Sequence, residues 1–127
     1  MHQHRISVVC CDDSPDRYSR VIESELEDDM LHSLVVSTEE QQLPAGTARE
    51  LHNAAHHAEH GPVTYLQHVQ EGGFFVLTGN PDDLRETWFG PGALVAFMDD
   101  SGPGHASRVG PDGVRRTLRV LRGHLQI

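Results

Sequence analysis

Residues 6–26 read ISVVCCDDSPDRYSRVIESEL, and the fold depends on how this stretch is read. Ile6 to Cys11 is a continuous apolar run, as expected of a strand covered on both faces. Asp12 and Asp13 follow it. Ser14 is placed to cap a helix with Pro15 at its first position. Tyr18, Val21, Ile22 and Leu26 then fall on one helical stripe. The stretch therefore predicts a strand, an acidic turn and a helix.

The same grammar extends along the chain. Leu34 to Val36 is a short second strand. Thr47 and Glu50 form a T-x-x-E capping box, opening a helix that Gly61-Pro62 closes. Val63 to Val69, Phe74 to Thr78 and Ala93 to Met98 are three further strands. Asn80-Pro81-Asp82-Asp83 reads as another helix start. Ser101 to Gly113 is a Gly- and Pro-rich loop. Val114, Leu118, Leu121 and Leu125 are spaced for a final helix, with a hairpin turning at Pro111-Asp112-Gly113 as the rival reading. Trp88 is expected in the core.

Strands alternating with helices predict an α/β fold in three layers, with a mostly parallel five-stranded sheet across a single domain, residues 1–127. Only Gln70 to Gly73 separate the third and fourth strands. That short link suits an antiparallel pair, so the alternative is α+β with a central antiparallel hairpin.

Residues 6–26 resemble the opening of response-regulator receiver domains, a flavodoxin-like fold. The resemblance is carried by the strand, the acidic pair and the helix start. It extends to Thr78, which looks like the switch threonine, and to Gly92-Ala93 before the fifth strand. It implies the strand order 2-1-3-4-5 and a Mg²⁺ site at Asp12 and Asp13. The phosphoacceptor aspartate is missing from GPVTYLQHVQ, and the chain has no lysine. The resemblance thus implies a degenerate, non-catalytic regulatory module in signalling that acts through contact with another protein.

Two metal sites are candidates. In a parallel sheet Asp12, Asp13, Asp99 and Asp100 would converge beyond the strand ends, where a divalent ion such as Mg²⁺ would relieve their repulsion. On the predicted second helix His52, His56 and His60 fall at i, i+4 and i+8, a spacing that suits Zn²⁺, Ni²⁺ or Cu²⁺ with a third group such as His68. Either would support a metal-dependent hydrolase.

Composition sets outer bounds. The formal charge is -9, which disfavours nucleic acid and anionic membrane surfaces. The same charge would suit an acidic inhibitor or immunity-type protein that masks a basic partner. Ten histidines would bring the net charge close to zero if protonated near pH ~6.5. Cys10 and Cys11 are neighbours in a strand and point to opposite faces, so they are expected to be free thiols in a cytoplasmic protein. No run approaches the ~20 apolar residues of a membrane-spanning helix.

Overall fold

The computed structural model describes residues 3–126. It is built almost entirely of sheet: β1 (Gln3–Cys11), β2 (Ser19–Glu27), β3 (Val35–Leu43), β4 (Ala48–His52), β5 (His56–His57), β6 (Gly61–Asn80), β7 (Asp83–Phe89), β8 (Leu94–Phe97) and β9 (His105–Arg122), with one helix, α1 (Asp28–Leu34). The receiver-type α/β architecture is therefore wrong. Among the described residues, β1 with β8 is the single parallel pairing, and every other ladder is antiparallel. The α+β alternative fits in part, since one helix sits on a mainly antiparallel sheet.

Two long strands organise the molecule. β6 and β9 form an antiparallel ribbon of 20 and 18 residues. Val63–Val69 of β6 pairs with β8 on one side and with Arg116–Arg122 of β9 on the other. Beyond the bend, Phe74–Asn80 pairs with β7 and with residues 106–109 of β9. The first half of the ribbon thus belongs to the row β2-β1-β8-β6-β9-β3, and the second half to β7-β6-β9-β4.

The bend lies at bulges between Val69 and Glu71 and between Gly72 and Phe74. Gly72 has φ 68°, and a Cβ there would run into the carbonyl of Gly113 on β9. A side chain at this crossing would push the two strands apart. The bend folds the second half over the first. Val9, Val95 and Phe97 share one apolar cluster with Phe74, Val76, Phe89 and Val109. A second cluster, on the other face of the first half, joins Ile6, Val8, Leu66 and Ala96 to Leu31 of α1 and to Leu125. β1 is therefore covered on both faces, as its unbroken apolar run requires.

All four expected helices are replaced by strand and loop, for local reasons, and the one helix, α1, falls where none was expected. Over residues 19–27, Glu23 and Glu25 are exposed while Leu26 is buried and Ile22 packs on the core. This alternation of two fits β2, which pairs with β1 from Cys11↔Ser19 to Gln3↔Glu27. Asp12 to Tyr18 is the connecting loop, not a helix start. The residues 47–60 contain good helix formers but little to bury: within the stretch only Ala55 is buried. Ala55 takes φ 70°, which no helix tolerates, and the segment becomes the edge strand β4, a loop and β5. Asn80-Pro81-Asp82-Asp83 is the tight turn between β6 and β7, closed by the pair Asn80↔Asp83. The C-terminal helix and its rival hairpin are both replaced by β9, which runs through Gly113 as one strand between β6 and β3. The third and fourth expected strands are the two arms of the bent β6, so no hairpin lies between them.

Cys10 is buried and Cys11 half-buried, and both thiols are free. Trp88 is exposed on the outer face of β7, stacked on Phe75 at 4.8 Å between ring centroids. Its indole lies where Cβ atoms at Gly73, Gly90 and Gly110 would stand, so a surface trough of glycines replaces the expected core site. No helix among the described residues is long and apolar enough to cross a membrane.

Candidate functional site

The fold-over leaves a cavity of about 430 Å³ between the two layers. That volume is in the range of small-molecule sites. Phe97, Tyr65 and Leu118 wall it from the first layer, Phe74 from the second. Its polar groups include His52, His105, Arg116, Arg49 and Gln67, with the Asp100 carboxylate also on its lining. A second depression, of about 510 Å³, lies at the turn beside Pro44 and Pro111. It offers less chemistry: of its charged groups, Arg115 is already paired with Glu71 at 3.1 Å.

Behind the cavity wall lies a buried carboxylate–imidazole pair, of which His105 reaches the lining. Asp99 follows β8 directly and is fully buried. Its Oδ2 accepts a 2.8 Å hydrogen bond from the Ser19 hydroxyl and lies 2.6 Å from Nδ1 of His105. His105 opens β9 and is buried. A carboxylate within that distance accepts from Nδ1–H, so Nδ1 carries a proton and Nε2 is the nitrogen turned away from Asp99. The imidazole also packs against Phe97, 4.7 Å between centroids.

His52 stands directly across the β4–β9 ladder from His105. Their ring centroids are 4.5 Å apart. Nδ1 of His52 lies 2.8 Å from the Glu50 carbonyl. A carbonyl can only accept, so Nδ1 carries a proton and Nε2 is again the nitrogen turned away. Burial pushes the His52 pKa down, against the raising effect of the Glu50 carbonyl, and His105 and Arg49 add to the lowering. Each imidazole is thus held through its Nδ1, and neither Nε2 has a hydrogen-bond partner among the described residues. Gly104 makes the approach possible. It has φ 80°, and a Cβ there would collide with the His52 carbonyl.

Arg116 supplies the opposite character. It projects from the first-layer half of β9 into the cavity wall, with Nε donating to Gln41 at 2.9 Å and Cζ lying 4.7 Å over the Phe74 ring. It has no carboxylate partner among the described residues. Burial, followed by the nearby charge of Arg49, pushes its pKa down to about 10. It remains a cation at neutral pH, held half-buried on an aromatic face without a counter-ion. The Gln67 Oε1 atom is also buried without a partner in this region.

The sites expected from the sequence are redistributed. β1 and β8 run parallel, with Val9↔Phe97 in register, so Asp12 and Asp99 do end on the same edge. They do not converge. Asp12 turns back to its own loop, accepting from the Ser14 hydroxyl at 2.6 Å and the Ser14 amide at 3.1 Å, and the Ser14 hydroxyl bond holds its carboxyl below the usual value. Asp13 is exposed. Asp99 turns inward, and Asp100 is exposed at the cavity rim, with its carboxylate 4.0 Å from His124. His52, His56 and His60 share no helix: His52 is in the cavity wall, His56 is at the mouth, and His60 is exposed against His57. No group of three or more His, Cys, Asp or Glu among the described residues is placed to hold a metal ion. Thr78 is buried in β6 opposite Arg85 of β7.

His105, Arg116 and Ser19 were missed by sequence reasoning. His105 sits in a Gly-Pro-Gly stretch that reads as loop, and Arg116 in a segment that also fits a helix. The signal for Arg116 was the β-branched series Val114, Thr117 and Val120, which favours strand. Comparison with family models, with curated proteins and with solved structures returns no match for this chain.

Proposed function

We propose that this domain binds a compact organic anion in the cavity between its two layers, with the anionic group, best a carboxylate, seated on Arg116. The observation that carries this is a half-buried guanidinium that lines the cavity and has no carboxylate partner among the described residues. Desolvating a cation without a counter-charge is costly, and a planar fork of donors on a dry wall is well matched to a carboxylate. Phe74, Phe97 and Leu118 would take the ligand's apolar body. The Nε2 atoms of His52 and His105 would accept from a hydroxyl or amine on the same molecule.

The regulatory reading rested on receiver kinship and is left without that support. Small-molecule binding explains the local positive character of a cavity inside a chain of charge -9. Calorimetric titration with a panel of short mono- and dicarboxylates tests it. Saturable binding that weakens at least tenfold in Arg116→Gln, with the fold intact by circular dichroism, is the expected result. Equal binding by wild type and Arg116→Gln refutes the assignment.

A further inference from the structure

We propose that His52 and His105 together bind a divalent first-row transition-metal ion through their Nε2 atoms. This goes beyond the anion site: the ion would take the two Nε2 atoms, while the anionic group is held by Arg116.

Each ring is fixed in the same tautomer by a partner on its far nitrogen: Asp99 at 2.6 Å for His105 and the Glu50 carbonyl at 2.8 Å for His52. Metal-bound histidines are oriented in this way, since a carboxylate or carbonyl on one nitrogen raises the donor strength of the other. Ring centroids 4.5 Å apart are compatible with two imidazoles sharing one metal ion. Nitrogen donors select the iron-to-zinc series over Mg²⁺ or Ca²⁺.

Two protein donors leave several coordination positions for water. They also leave room for the anion held by Arg116, whose side chain lines the same cavity. The buried Asp99 accounts for the asymmetry of the pair. It holds the inner histidine rigidly through Ser19 and β8, while the outer one is held by its own strand.

The other histidine cluster provides a contrast. His57 and His60 are stacked at 4.8 Å, but Nδ1 of His57 accepts from the Glu59 amide at 3.0 Å. That bond places its proton on Nε2, and no carboxylate backs the ring. Such a surface cluster would take up metal only adventitiously.

The test uses Zn²⁺ and Cu²⁺ alone, with untagged protein in a non-coordinating buffer. A background variant, His56→Ala/His57→Ala/His60→Ala, removes the surface cluster. One Cu²⁺ or Zn²⁺ per chain is expected to survive in it, with nitrogen hyperfine structure from two imidazoles in the Cu²⁺ spectrum. His52→Gln in that background should weaken binding at least tenfold. Asp99→Asn should weaken it about tenfold to a hundredfold. Should His105→Gln lose its fold, the half-exposed His52 carries the test alone. Arg116→Gln should leave metal affinity unchanged, which separates failure of this site from failure of the anion site. Loss of all binding in the background variant, or undiminished binding in His52→Gln, overturns the proposal.

Discussion

Asp99 and His105 are joined at 2.6 Å in the interior, although six residues apart in the chain and on different elements. Asp99 also receives Ser19 from β2, so one carboxylate ties β8, β9 and β2 at the cavity wall. Removing the carboxylate would strand both donors. Asp99→Ala is expected to destabilise the fold by about 3–5 kcal/mol, and Ser19→Ala by about 1–3 kcal/mol. Urea denaturation measures both. An Asp99→Ala protein as stable as wild type would show that the pair has no structural weight.

The junction at Gly104 is sterically closed. A methyl group there would meet the His52 carbonyl, and the backbone sits at φ 80°. Gly104→Ala is expected to cost more than ~1 kcal/mol, and to move His105 away from His52. The imidazole resonances of both residues, followed by nuclear magnetic resonance, should shift together. Unchanged resonances would contradict the steric reading.

Arg116 sets binding against stability. Its guanidinium is held without a carboxylate and costs desolvation in the free protein. Arg116→Met is expected to keep the packing on Phe74, to raise the ligand-free melting temperature and to abolish anion binding. In wild type, a carboxylate at a hundred times its Kd should stabilise by about 2.7 kcal/mol. Thermal unfolding with and without ligand checks both parts. A lower melting temperature for Arg116→Met would mean that the Gln41 bond and the ring contact outweigh the desolvation.

Acidification should destabilise the metal-free protein. Burial lowers the pKa of His52 below its ordinary 6.5, and burial with Arg119 and His4 does the same to His68. Above about pH 6.5 both states are neutral at these sites and the shifts have no effect. Below it the unfolded chain takes up protons that the folded one resists, so stability falls as pH drops. Asp12 acts in a separate window: its lowered pKa contributes stability above the ordinary value of 3.8 that is lost in stronger acid. Melting temperatures between pH 8 and 5 check the histidine effect. A flat profile would refute it.

Much of the strand content was legible in the sequence. The apolar runs at Ile6–Cys11, Val63–Val69 and Phe74–Thr78 lie in strands and Ala93–Met98 brackets β8, because β-branched and aromatic residues in unbroken runs fit a doubly covered sheet. The same runs do not state their direction. A parallel and an antiparallel neighbour satisfy the same backbone groups, so the order of the sheet was not written locally. The segments 14–26 and 114–125 match both a period of two and a period near 3.6, and only their neighbours choose. Edge pairing with β1 makes the first a strand, and pairing with β6 and β3 on both sides makes the second one.

The candidate site shows the same division. The sequence by itself determined that His52, Asp99 and an all-arginine set of cations were present, and that the chain was acidic overall. Only the tertiary structure decided which of them meet. His52, Asp99, His105 and Arg116 are brought together by a bend at Gly72 and by the crossing of β4 over β9. Contacts between residues tens of positions apart depend on how two layers close on each other, and no local spacing encodes that closure.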